Sequence, residues 1–101
     1  MIVSEITTYT KGAPMGEIRA EHLRWERSCG DRGKIIMAGR FADARGAQIL
    51  WNVSSMEEAR QLAEEDPFVR ENLLTYELRE WPVIFNYTVE PPLVSDLGRH
   101  N

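Results

Sequence analysis

Four residues carry the chemistry open to this chain: His22, Asp66, Arg40 and Cys29. His22 falls where Ile18, His22, Trp25 and Cys29 recur at spacings of four, three and four, the repeat of one helix face. A histidine on such an apolar face has two readings. It is a partly buried side chain bonded to a backbone carbonyl, or a general base in a dry pocket that tunes its proton affinity. Asp66 stands before Pro67, where an aspartate caps a short helical turn with proline at its first position. A carboxylate has two oxygens, so Asp66 can cap and still accept a bond from an imidazole N–H. That bond would orient the ring and stabilise its protonated form. Spacing alone does not show that the two residues meet. Arg40 follows Gly39. It either holds a substrate carboxylate or phenolate through paired N–H bonds, or it is a surface cation paired with one of sixteen acids. Trp25, Trp51 and Trp81 read most simply as core or interface residues, although one such as Trp25 could line a pocket for a flat ring.

Other chemistries are poorly supplied. Cys29 lies seven residues from His22, roughly 10 Å along a helix, too far for a Cys–His catalytic pair. It reads as a small buried hydrophobe. As the single cysteine it makes no internal disulfide and no multi-thiolate zinc site. His100 is the other histidine, and no HxxxH or HxH pair exists. A metal site is therefore not expected. No GxGxxG or Walker-type loop occurs, and no cofactor is expected. Twelve basic residues face sixteen acidic ones, a net charge of −4 with no basic block, which argues against nucleic acid. No apolar run reaches the roughly 18–20 residues that span a bilayer, so no membrane partner is expected. No charged stretch followed by an apolar one marks the N-terminus as a secretory signal, so the expected location is cytoplasmic.

These residues need elements to position them. Residues 2–9 are rich in β-branched side chains and predict a strand, with Ile2, Ser4 and Ile6 on one face and Val3, Glu5 and Thr7 on the other. Residues 15–30 predict a helix that stops at Gly30 and Gly33. Residues 35–38 predict a short buried strand, 39–46 a loop, and 47–53 a strand with Ile49, Trp51 and Val53 on one face. Ser55 with Glu58 is a capping box, opening a helix whose apolar stripe is Met56, Ala59, Leu62 and Ala63. Pro67 interrupts it and starts a fresh turn. Residues 73–83 predict the last strand, with Leu74, Tyr76 and Leu78 on one face and Pro82 where it leaves the sheet. The order β-α-β-β-α-β is a ferredoxin-like α+β sandwich with an antiparallel four-stranded sheet. It occupies residues 1–86. Residues 87–101, with Pro91-Pro92, read as an extended tail that could reach a partner subunit. The sheet face away from the helices also carries apolar residues, and a second copy of the sheet would cover it in a homodimer.

Several of these pieces resemble one family. Glu21-His22-Leu23 comes before Gly33-Lys34-Ile35-Ile36-Met37-Ala38-Gly39, then Ser55-Met56-Glu57-Glu58-Ala59, Asp66-Pro67-Phe68 and Trp81-Pro82. In order and spacing they are similar to the YCII-related family, small proteins of the dimeric α+β barrel type. The resemblance covers residues 1 to about 85. It implies a protomer that dimerises through its sheet, and an active site of one histidine and one aspartate. These map to His22 and Asp66. Arg40 stands where the family often has proline, which would put a cation toward the pocket. The family includes a dehydrochlorinase of a chlorinated hydroxyhydroquinone. The stretch Gly39-Arg40-Phe41-Ala42, with Val53-Ser54-Ser55 after the next strand, is also similar to muconolactone isomerase. The resemblance implies a cofactor-independent lyase or isomerase moving protons on a small cyclic metabolite of the aromatic-degradation kind. His22 would move the proton, Asp66 orient the ring, and Arg40, with Trp25, bind substrate. The competing reading is a non-catalytic module that binds a small molecule or stabilises a complex. A third is an oxygen-using barrel enzyme of the monooxygenase kind.

Overall fold

The computed structural model describes residues 1–87. Its elements run β1 (Ile2–Tyr9), α1 (Met15–Asp31), β2 (Ile35–Arg40), β3 (Gly46–Asn52), α2 (Met56–Glu64), α3 (Pro67–Arg70) and β4 (Leu74–Glu80). The four strands form one sheet in the order β2-β3-β1-β4, and every neighbouring pair is antiparallel. This is the ferredoxin-like α+β architecture expected from the element order, with α3 as an added turn. The expected tail lies outside the described residues from position 88 onward, as does His100.

Strand β1 is central and pairs with both β3 and β4. Its alternation is strict: Val3, Glu5 and Thr7 are buried while Ile2, Ser4 and Ile6 are only half-buried. The period of two therefore aims an acid, Glu5, into the helix-covered side. There Val3, Ile49, Trp51 and Val53 from the sheet side meet Cys29 of α1 and Ala59 and Leu62 of α2. A second cluster forms around Phe68, Leu73 and Leu74, with Tyr9, Met15 and Ile18 against it.

Local chemistry sets the boundaries. Helix α1 closes where Gly33 takes a φ of 76°, a left-handed conformation that glycine adopts at little cost. The Gly33 N–H then reaches Gly30 O, and the Lys34 N–H reaches Cys29 O. Helix α2 begins with Ser55 Oγ accepting from the Glu58 N–H, while Glu58 Oε1 accepts from the Ser54 N–H. Gly46 opens β3 because a Cβ there would sit 2.0 Å from Thr7 O. Only hydrogen fits between the two backbones.

Three expectations shift. Residues 35–38 form no buried strand within one chain. Strand β2 is an edge strand, with a bulge between Ile35 and Met37, and Met37 is 62% exposed. Arg40 belongs to β2 rather than to the following loop, because its pairing with Ala47 extends the ladder. Strand β4 stops at Glu80. The Trp81 N–H still donates to Ile2 O, and the next residue, Pro82, has no N–H to continue.

Candidate active site

Two elements far apart in sequence bring His22 and Asp66 together. Helix α1 crosses the sheet with its Ile18–His22–Trp25–Cys29 face inward, and α3 packs against it. Asp66 is the N-cap of α3, and its Oδ1 accepts the Phe68 N–H at 2.9 Å. The same oxygen lies 2.9 Å from His22 Nδ1. The cap and the ring contact thus share one oxygen, and Asp66 Oδ2 is buried without a partner. Phe68 stacks on the imidazole with ring centroids 4.1 Å apart and planes 16° apart. Trp25 flanks it at 5.6 Å. The ring is therefore fixed by a hydrogen bond on its edge and by aromatic contacts.

The second ring nitrogen is also engaged. His22 Nε2 lies 2.9 Å from Glu26 Oε2, one helical turn on. A ring with a carboxylate at each nitrogen donates from both, so it is an imidazolium. Burial works against that charge, but the bonds to Asp66 and Glu26 outweigh it and carry the pKa up to about 9. The two carboxylates differ in burial: Asp66 is 1% exposed and Glu26 is 25% exposed. Asp66 is thus enclosed, whereas Glu26 is open to solvent on one side.

Behind the pair lies Glu5, fully buried on β1. Its Oε1 accepts the Trp51 indole N–H at 2.8 Å, and its Oε2 has no partner. Burial raises the Glu5 carboxyl to about 7, against the pull of the Trp51 bond and with help from the nearby Asp66 charge.

A cleft opens beside the imidazole, lined by Tyr9, Arg19, His22, Glu26, Arg40 and Phe68 among others. Arg40 reaches it from β2, across from α1, so a cation does stand on the cleft wall. Trp25 is not part of that lining. It packs between His22 and Trp51, whose ring centroid is 5.7 Å away, and so faces the core. Cys29 is buried, and burial pushes its thiol pKa up. Among the described residues, no group of three or more His, Cys, Asp or Glu side chains has an arrangement suited to a metal ion.

Sequence reasoning passed over Glu26, Arg19 and Glu5. Glu26 was within reach of it, because i and i+4 meet on a helix. Arg19 is three residues before His22 and so shares its side of α1. Alternation puts Glu5 on the face of Val3 and Thr7, but nothing in that pattern marks the face as buried at an acid.

Residues 1–82 match the YCII-related domain. The chain belongs to the YCII-related family. Among solved structures, this YCII-related chain is similar to 5-chloro-2-hydroxyhydroquinone dehydrochlorinase from Burkholderia phenoliruptrix, in a complex with 2,5-dihydroxybenzoquinone. The TM-score is 0.72 at 19% identity, over 81% of this chain and 94% of that one. At that identity the likeness is one of fold. A search of curated proteins finds no match. No helix among the described residues of the YCII-related chain is long and apolar enough to cross a membrane.

Proposed function

We propose that this chain is a small lyase or isomerase that transfers a proton between His22 and a small oxygenated ring. The observation that carries this reading is the imidazole held between a buried and a part-exposed carboxylate at the wall of a cleft. Nδ1 is committed to Asp66, so Nε2 is the nitrogen that serves the cleft. An anionic substrate oxygen would replace Glu26 at Nε2, with Arg19 and Arg40 supplying positive charge on the lining. The imidazolium then gives its Nε2 proton to that oxygen or to the adjoining carbon. In an isomerase the neutral ring then takes a proton from another carbon of the substrate. In a lyase it takes a proton from the substrate as the carbon–chlorine bond breaks and chloride leaves with the bonding pair. Asp66 holds the ring in place throughout. The neighbouring dehydrochlorinase works on a chlorinated hydroxyhydroquinone, and chlorinated hydroquinones and unsaturated lactones are the substrates to try first.

The direct test follows chloride release and ring absorbance over such a panel. His22→Gln should lower turnover by about 10²–10⁴-fold while leaving the circular dichroism unchanged. A His22→Gln variant as fast as wild type would end this reading. One observation favours a second role: both ring nitrogens are already bonded to carboxylates, as in a structural cation. In a binding module, ligand titration by calorimetry would show uptake with no turnover.

The reading includes a homodimer. Ile2, Ile6 and Leu50 are half-buried on the sheet face away from the helices, and Met37 pairs with Leu50 at its edge. A second sheet laid on that face would cover them.

A further inference from the structure

The buried acid Glu5 has no part in the mechanism above, and its surroundings assign it one. It is fully buried, one turn of the strand's alternation below the cleft residues Thr7 and Tyr9. Trp51 binds its Oε1, and Trp51 packs against Trp25, which packs against His22. Three buried polar atoms in this region lack a protein partner: Glu5 Oε2, Asp66 Oδ2 and Trp25 Nε1. The charged and titratable groups that act on Glu5 are Asp66 before α3, His22 and Glu26 of α1, and Tyr76 of β4. Two carboxylates thus contact the imidazolium, and a third, Glu5, lies behind it within reach of its charge. A fully ionised set would leave two excess negative charges in and beside the core, so one carboxyl is favoured to keep its proton. Glu5 and Asp66 are both fully buried, but Asp66 accepts two hydrogen bonds, one of them from the imidazole, and Glu5 accepts only the Trp51 bond, so Glu5 is the one favoured to stay protonated.

We propose that Glu5 is a positioning residue for the His22–Asp66 pair: from the strand behind it, its carboxyl sets how tightly His22 holds its proton. When Glu5 is neutral, the carboxylate charges that hold the His22 proton are those of Asp66 and Glu26. When Glu5 ionises, a further buried negative charge stabilises the imidazolium and makes it a weaker acid. The raised carboxyl, at about 7, puts that change in the neutral range. A purely structural role, as acceptor for Trp51, would be filled equally by glutamine. The catalytic meaning of the proposal rests on the proton-transfer reading, but the coupling itself does not.

The test is therefore a titration by NMR of the full chain, in wild type and in Glu5→Gln. In wild type, one glutamate carboxyl carbon should titrate with a midpoint near 7, and the His22 ring signals should show a small inflection at the same pH before their main transition. In Glu5→Gln that inflection should vanish, and His22 should lose its proton at lower pH, by about threefold or more in proton affinity. Superposable His22 curves in the two proteins overturn the proposal. So does a wild type whose glutamate carboxyls all titrate below pH of about 5.5, a result that holds even if Glu5→Gln fails to fold. Turnover without coupling would sink Glu5 alone. Coupling without turnover on any substrate would sink the proton-transfer reading alone.

Discussion

At the scale of single residues, one oxygen decides much of the site. Asp66 Oδ1 accepts from both the Phe68 N–H and the His22 ring. Asparagine can still cap α3 through its side-chain oxygen, but it carries no charge to hold the imidazolium. Asp66→Asn should therefore bring the His22 midpoint down from about 9 toward the ordinary histidine value, read from the ring signals by NMR. By linkage the same change appears in stability: Asp66→Asn should melt earlier than wild type below pH 6.5, and the difference should shrink as pH rises through about 9. Trp51→Phe makes the complementary test. It keeps the ring that packs on Trp25 but removes the donor to a fully buried carboxyl. An orphaned buried acceptor costs about 1–3 kcal/mol, measurable by urea unfolding. The Glu5 carboxyl should hold its proton to still higher pH.

At the scale of elements, the site depends on the register of β1. Thr7 faces Ala47, and the Thr7 hydroxyl both donates to Ala47 O and accepts from the Ala47 N–H. Beside this pair, Gly46 lets β3 approach so closely that a Cβ would overlap Thr7 O. The overlapped atom is backbone, so it cannot swing aside. Gly46→Ala should cost at least about 2 kcal/mol and shift Arg40, which pairs with Ala47 on the other side of β3. Denaturant unfolding and the backbone amide shifts of 7, 40 and 47 would show both effects. A variant with wild-type stability would mean that the strands do not approach so closely.

At the scale of the whole molecule, the buried charges give stability a definite pH dependence. The Glu5 carboxyl is raised from 4.5 to about 7 in the folded protein. The native state thus keeps a proton that the unfolded chain releases. Its contribution is complete below 4.5 and is lost as pH rises through about 7. His22, raised from 6.5 to about 9, acts in the same sense: its contribution is complete below 6.5 and lost as pH rises through about 9. Each displacement corresponds to on the order of 3 kcal/mol. Melting temperature should therefore fall between pH 5 and 9, in two overlapping windows. Glu5→Gln should flatten the lower window and Asp66→Asn the upper. A melting temperature that rises across this range would contradict both assignments. The proposed homodimer is tested at the same scale. Leu50→Lys places a charge on the outer sheet face and should yield a monomer by light scattering.

Local pattern alone determined much of this protein. The spacing of Ile18, His22, Trp25 and Cys29 is visible within twelve letters because a helix repeats every 3.6 residues. The Ser55 and Asp66 caps are legible for a similar reason: each depends on neighbours two or three residues away. From these the element order and the ferredoxin-like arrangement follow, and the family resemblance singled out His22 and Asp66. Only the tertiary structure brings those two to 2.9 Å, because that contact requires α1 and α3 to lie against each other over one sheet. It also decides that β2 is an edge strand whose last residue is Arg40, since a strand's neighbours are not encoded in its own alternation. Above all it decides Glu5. Alternation says which side of β1 the acid takes, but whether that side is wet or dry depends on helices that arrive from elsewhere in the chain.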